Sequence, residues 1–177
     1  MTIKKYDIIM ADPPWTHSNR PCNSTAADTH YLLMSLEEIK NLPIISQIRS
    51  DNCLLFLWGT APLLPEALEV ISSWGFSYLT CAVWDKMHKC GIGYWFRNSH
   101  ELLLVGRRGK MRPPSTGLRV SSIFKEKKGK HSRKPTIVRN WIDRAFPDCS
   151  KIELFAREVG LFRGKKFPNW DSWGNEV

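Results

Sequence analysis

The chain has 177 residues, with 26 Lys and Arg against 17 Asp and Glu, a net charge of +9 and a pI near 9.5. That length is one domain's worth, able to bury a core without disulfides or a structural metal. Its longest uncharged apolar run, Cys53 to Trp58, is far short of the ~20 residues a membrane span needs, and the start, Met1-Thr2-Ile3-Lys4-Lys5-Tyr6-Asp7, is not a secretory signal. Cys22, Cys53, Cys81, Cys90 and Cys149 are odd in number and contain no Cys-x-x-Cys pair, which fits a reducing compartment. Cys81, His88 and Cys90 match no recurrent zinc spacing, so no metal is expected.

In chain order, Tyr6 to Ala11 is a short apolar run stopped by Asp12-Pro13-Pro14, which predicts a buried strand. Ser35-Leu36-Glu37-Glu38 is a capping box that predicts a helix to about Ile48, broken or kinked at Pro43. Cys53 to Trp58 reads as a second buried strand, and Pro65 starts a helix that Gly75 stops. Phe76 to Trp84 and Glu101 to Val105 read as strands, and Leu118 to Phe124 as a short strand between loops. Pro135 stands where a first helical residue should, followed by an apolar face of Ile137, Val138, Trp141, Ile142 and Ala145. Pro147 ends that helix, and Lys151 to Ala156 is the last clear strand. Strands alternating with helices, in continuous apolar runs, predict an α/β domain with a mostly parallel sheet covered on both faces. Trp58 and Trp84, inside apolar runs, are expected in the core.

The charge is concentrated between residues 107 and 134. Arg107, Arg108, Lys110, Arg112, Arg119, Lys125, Lys127, Lys128, Lys130, Arg133 and Lys134 stand against the single acid Glu126, so the rest of the chain is almost neutral. Such a stretch is either a solvated charge run or a polyanion grip, since each cation near a phosphate releases counterions. Gly109, Pro113, Pro114, Gly117 and Gly129 punctuate it, and mobility without substrate is expected.

The chemistry begins at Asp12-Pro13-Pro14-Trp15. In an open α/β sheet, ligands bind outside the carboxyl ends of strands, and this tetrapeptide directly follows one. Each Pro fixes its own φ, so a carboxylate, stiff carbonyls and a flat indole stand together, a receptor for a planar base bearing an amino group. Asp12 and the Pro13 carbonyl can each accept one hydrogen of an –NH₂, turning its lone pair toward an electrophile. The same four residues would also serve as a proline-stiffened, strand-ending Asx turn. No G-x-G-x-x-G occurs, which removes the simple dinucleotide fingerprint.

Asp12-Pro13-Pro14-Trp15 resembles the catalytic motif of amino-group methyltransferases. The full pattern resembles the N6-adenine methyltransferase family that includes the catalytic subunit of the eukaryotic mRNA adenosine methyltransferase and short bacterial and phage members. Co-linear segments carry the resemblance: His30 to Ser35, Leu55 to Trp58, Val83 to Lys86, Gly93 to Gly106, Ser132 to Pro135, Ile152 to Arg157 and Asn169 to Glu176. It implies a single-domain Rossmann-like methyltransferase fold, circularly permuted so that the catalytic strand precedes the cofactor half. It also implies S-adenosylmethionine as cofactor, with Asp12 beside it, Lys134 on its carboxylate, Arg157 at its adenosine end and Asn175 with Glu176 near its ribose. Tyr31 and Glu101 match positions on the side of the acceptor base.

The expected partner is nucleic acid, DNA ahead of RNA, held by Arg107, Arg108, Lys110, Arg112, Lys125, Lys127, Lys128, Lys130 and Arg133. The implied setting is the cytoplasm of a prokaryotic or phage-infected cell, as monomer or homodimer, without membrane contact. Longer relatives carry a segment upstream of the catalytic strand that encloses the cofactor's adenine; Met1 to Lys5 is all that stands there, which predicts modest cofactor affinity. The alternative reading is a catalytically silent nucleic-acid-binding subunit of the same fold.

Overall fold

A computed structural model describes residues 3–16, 33–87, 95–129, 133–156 and 168–174. Its elements in chain order are β1 (Tyr6–Ala11), α1 (Leu36–Lys40), α2 (Ile44–Ile48), β2 (Arg49–Gly59), α3 (Leu64–Ser73), β3 (Ser77–Asp85), β4 (His100–Arg108), β5 (Ile123–Lys125), α4 (Thr136–Ala145), β6 (Lys151–Leu154) and β7 (Asp171–Trp173). The strands form one sheet in the order β5-β3-β4-β2-β1-β6-β7. β1 pairs in parallel with β2 and β6, β6 with β7, and β3 with β5, while β4 runs antiparallel to both its neighbours. Every described strand except β4 therefore points the same way.

Alternation along β1 splits the core in two. Ile9 and Ala11 pack with Ile39 of α1, Ile45 and Ile48 of α2 and Ala67, Val70 and Ile71 of α3. Ile8 and Met10 face the other layer, with Phe56, Trp58, Val138 and Ile142. Because both faces are covered, β2 is buried without a break from Cys53 to Gly59, as expected of a central strand in a doubly covered sheet.

The capping box forms as expected: Ser35 Oγ accepts the Glu38 N–H at 3.3 Å and Glu38 Oε2 accepts the Ser35 N–H at 2.7 Å. Pro43 does break the predicted helix, into α1 and α2. Gly75, at φ +78, follows α3 in the left-handed region that glycine occupies without strain. Pro135 sits one place earlier than expected, as the N-cap of α4.

Other expectations are corrected. The strand predicted over Leu118 to Phe124 is β5, Ile123–Lys125, preceded by a 3₁₀ turn over Thr116–Leu118. The Leu118 carbonyl is taken by the Trp141 indole N–H at 2.8 Å, and sheet pairing begins only where Val83 N–H donates to Ser122 O at 2.7 Å. Ile137 is exposed on α4 while Arg139 is buried, because Arg139 pairs with Glu153 of β6. β4 runs on to Arg108, so the cationic stretch starts inside a strand. β6 ends at Leu154, where Phe155 turns to φ +60, and β7 was not expected at all.

Candidate active site

One rim of the sheet collects the chemistry. The carboxyl ends of the parallel strands and the start of the reversed β4 share it, so Asp12 after β1, Trp58 near the end of β2, Lys86 after β3 and Glu101 on β4 come to one edge. β2 lies on one side of β1 and β6 on the other, which opens the crevice expected at such a switch of strand order.

The motif after β1 is locked by its own backbone. Trp15 N–H donates to Pro13 O at 2.9 Å, Met34 N–H to Pro14 O at 2.9 Å, and Thr16 N–H to Met34 O at 3.2 Å. Trp15 Nε1 donates to Trp58 O at 3.2 Å, which ties the indole to β2. The Pro14 carbonyl is thus used in structure, while the Pro13 carbonyl, with one N–H accepted, keeps a second lone pair.

Asp12 does not face an empty crevice. Lys134 Nζ donates to Asp12 Oδ2 at 2.7 Å and lies 3.2 Å from Glu101 Oε2. Lys86 Nζ holds the other Glu101 oxygen, Oε1, at 2.7 Å. All four side chains are between 11% and 16% exposed, so these charges sit in a largely dry site where water screens them little. Each ammonium also stands over an indole: Lys134 Nζ is 5.8 Å from the Trp58 ring centre and Lys86 Nζ 5.7 Å from that of Trp84. The two indoles meet edge to face at 6.0 Å. Trp58 and Trp84 are buried as expected of core residues, and they form the floor of the site as well.

Electrostatics follow from this packing. Burial pushes the Glu101 carboxyl up, but Lys134 and Lys86 outweigh it and hold it below its ordinary value. Burial lowers the Lys134 ammonium, and Asp12 and Glu101 reverse that, leaving it raised. Behind Asp12, burial raises the Glu153 carboxyl despite its buried partner Arg139, and the Asp12 charge adds to the rise. Trp58 Nε1 and Thr60 Oγ1, both at the end of β2, are buried with no hydrogen-bond partner among the described residues. An unpaired buried donor is costly, so this rim suits a ligand that brings acceptors. An ammonium, carboxylates and orphan donors also suit the charged amino-acid end of S-adenosylmethionine.

Not every expected residue falls here. Tyr31, Arg157, Asn175, Glu176, Lys130, His88, Cys22 and Cys90 lie outside the described residues. Among the described residues no cluster of His, Cys, Asp or Glu could hold a metal ion. The cationic stretch is divided between the two rims. Lys125 lies opposite Asp85, and Lys128 N–H donates to Lys86 O at 3.1 Å, so Lys125, Lys127 and Lys128 border the Asp12 rim. Glu126 is their anchor, its carboxylate accepting the Thr136 and Ile137 N–H groups at 2.9 and 3.1 Å to cap α4. Arg107 and Arg108 sit at the other end of β4, about 24 Å of strand from Glu101. Arg108 donates to Gly75 O at 3.4 Å, beside Arg49 on the Trp74 carbonyl, so both cations close the carbonyl end of α3. Lys110 and Arg112 line an open recess of about 500 Å³ on that far rim, with Pro114 and Phe146.

Sequence reasoning singled out Asp12, Glu101 and Lys134, but not Lys86 as part of their network, nor the site role of the two tryptophans. The register that sets Trp84 against Glu101 across β3 and β4 reveals Lys86 and Trp84, and the Lys134 ammonium over its ring reveals Trp58.

The MT-A70 family model matches residues 6–176. The chain belongs to the MT-A70 family. This MT-A70 chain is 34% identical to the type II methyltransferase M.MunI from Mycoplasma, over 98% of its own length and 78% of the relative's. It is 29% identical to the N(6)-adenosine-methyltransferase catalytic subunit METTL3 of Homo sapiens and 30% to the METTL3 subunit of Danio rerio, over 98% of the chain in both. It spans only 28% of each METTL3 protein. No helix among the described residues is long and apolar enough to cross a membrane.

Proposed function

We propose that this MT-A70 domain transfers a methyl group from S-adenosylmethionine to the exocyclic N6 amine of adenine in nucleic acid. The observation that carries the reading is Asp12 of the Asp-Pro-Pro-Trp tetrapeptide, held at the crevice rim within hydrogen-bond reach of Lys134. When bound, S-adenosylmethionine would supply a methyl group on a sulfonium, whose S–C bond breaks as the N–C bond forms and which departs as a neutral thioether. Lys134 would hold its carboxylate, with Asp12 close by; Arg157, Asn175 and Glu176 are assigned to it by resemblance alone. Asp12 accepts one N–H of the target amine, so the nitrogen lone pair turns away from the ring and toward the incoming carbon. The second lone pair of Pro13 O is the other acceptor for that amine. As the new N–C bond forms, nitrogen sheds a proton, and the Asp12 carboxylate is the adjacent acceptor. Trp15, pinned to β2, walls the base side together with Glu101, and Tyr31 is assigned to that side by resemblance alone. The base must leave its stack to reach this rim, and Lys125, Lys127, Lys128 and Arg133 hold the flanking backbone.

DNA is the first substrate of this reading, because the chain spans 78% of the type II methyltransferase M.MunI but 28% of the human METTL3 protein. RNA is the second, favoured by the METTL3 relatives, whose names specify adenosine. The deciding experiment incubates the protein with methyl-labelled S-adenosylmethionine and DNA or RNA oligonucleotides, followed by nucleoside mass spectrometry. Label in N6-methyladenine supports the reading, and the nucleic acid that carries it selects the substrate. Label only in cytosine, or in no nucleoside, overturns it.

A further inference from the structure

Lys134 occupies the place an amine would need. Its ammonium is bonded to Asp12 Oδ2, so a target amine that is to take that oxygen displaces the ammonium, which then needs another anion. Besides the cofactor carboxylate assigned to Lys134 above, the other anion in reach among the described residues is Glu101, whose Oε2 already lies 3.2 Å away. Glu101 can take the charge only while it is ionised and correctly turned, and it is 14% exposed, a burial that by itself favours the neutral acid.

We infer that Lys86 is a positioning residue: by holding Glu101 Oε1 it keeps Glu101 charged and oriented, so that Oε2 can take the Lys134 ammonium from Asp12 when the target amine arrives. This rests on the methyl-transfer reading above. Lys86 is fixed for the task from several directions. Its N–H donates to Ser99 O at 3.0 Å, and its carbonyl accepts the Lys128 N–H at 3.1 Å. Its ammonium rests over Trp84, whose own Nε1 donates to Glu126 O at 2.7 Å. Lys86 over Trp84 and Lys134 over Trp58 make matched halves of one cradle, with a Glu101 oxygen in each. Among the described residues, Asp12, the Arg139–Glu153 pair, and Asp85 paired with His100 across β3 and β4 are further charged or titratable groups around Glu101, and Glu126 is engaged as the cap of α4.

The transfer works without net charge movement into or out of the rim. The Lys134 ammonium keeps its protons and exchanges one carboxylate for another, and the amine fills the place left at Asp12. Without Lys86, Glu101 would face burial with one cation instead of two. It would then hold its proton to higher pH and could draw Lys134 away only above that pH.

The test compares wild type, Lys86→Met and Lys86→Arg on the full chain. The Glu101 carboxyl carbon is titrated by NMR, and pH profiles of kcat and of KM for oligonucleotide are measured. Lys86→Met should raise the Glu101 pKa by about one unit or more. It should move the acid limb of kcat up with it, and lower kcat on the order of tenfold at the acid end but far less at the alkaline end. Lys86→Arg, which keeps the charge, should restore the profile. A merely structural lysine would lower activity evenly across pH or alter stability without moving the limb, and that result overturns the inference. An unchanged Glu101 titration in Lys86→Met overturns it too. If Lys86→Met fails to fold, Lys86→Gln carries the same titration. If the wild type makes no N6-methyladenine, the proposed function falls, while the titration still decides whether Lys86 governs Glu101.

Discussion

Replacing Asp12 by Ala removes the acceptor on which the proposed chemistry turns, and the structure separates its effect on catalysis from its effect on folding. Loss of one preorganised polar contact at a reacting group costs on the order of 2–4 kcal/mol of transition-state stabilisation, a fall of roughly 30- to 1,000-fold in kcat. On the folding side the loss is a charge-assisted hydrogen bond to a buried ammonium, a class that contributes about 1.5–3 kcal/mol to stability. Here the cost should be smaller, because Lys134 keeps Glu101 at 3.2 Å and is not left unpaired. Asp12→Ala should therefore fold, with unchanged circular dichroism and a modestly lower urea midpoint, while turnover collapses.

The alkaline side of stability should respond as well. The folded-state pKa of Lys134 lies above its ordinary value of 10.5, so the stability it contributes is present below that value and is lost as pH rises through the folded pKa. With Asp12 gone, that loss should begin at lower pH. The assay is steady-state methyl transfer to an adenine-containing oligonucleotide at saturating cofactor, alongside urea unfolding across pH. An Asp12→Ala variant keeping more than about a tenth of wild-type kcat would refute the role given to the carboxylate.

Three further outcomes are expected. Lys125, Lys127 and Lys128 changed together to Gln should weaken oligonucleotide binding and flatten its salt dependence by roughly one unit of slope per lost phosphate contact, whereas Arg107, Lys110 and Arg112 changed to Gln should leave the slope alone; fluorescence anisotropy across a salt series decides, and equal effects would dissolve the division between the rims. Cys53, buried and with its thiol pushed up to about 12, should resist iodoacetamide in the native protein and react only on unfolding; rapid native labelling at Cys53, located by peptide mass spectrometry, would contradict the packing beneath β2. Glu101, held below its ordinary 4.5, contributes stability that is present above that pH and lost as pH falls through the folded value, so Glu101→Gln should flatten the acid end of a urea-midpoint profile. An unaltered acid limb would mean that the lysine pairing does not stabilise the fold.

What could be read from sequence follows the range of the interactions involved. β1 and its Pro stop, the capping box at Ser35 and the glycine after α3 are local, each decided by residues a few places apart, and each appears where expected. Asp12 was legible because a carboxylate directly after a buried strand stands at the binding edge of an α/β sheet whatever the rest of the topology. Glu101 and Lys134 needed the family pattern, since nothing local distinguishes them from other charges near a strand or helix start. Arg139 was hidden in an apolar stripe because its partner Glu153 lies on another element.

The reversal of β4 explains what composition could not show. A run of cations between residues 107 and 134 looks like one surface when it is read as a line. An antiparallel strand delivers its end to the rim opposite the carboxyl ends of its neighbours, so Arg107 and Arg108 are carried away from Asp12, and the chain returns along β5 to place Lys125 to Lys128 beside it. The same reversal brings the start of β4, and with it Glu101, to the edge where the other strands finish. Two carboxylates, Asp12 and Glu101, then meet two ammonium groups, Lys134 and Lys86, over a floor of two indoles, and their formal charges cancel. A neutral amine entering such a site asks for no new charge to be buried. On the inference drawn above, it asks only that an existing ammonium change partners over a short distance, and in a dry site that is a far smaller reorganisation than bringing ions in from water.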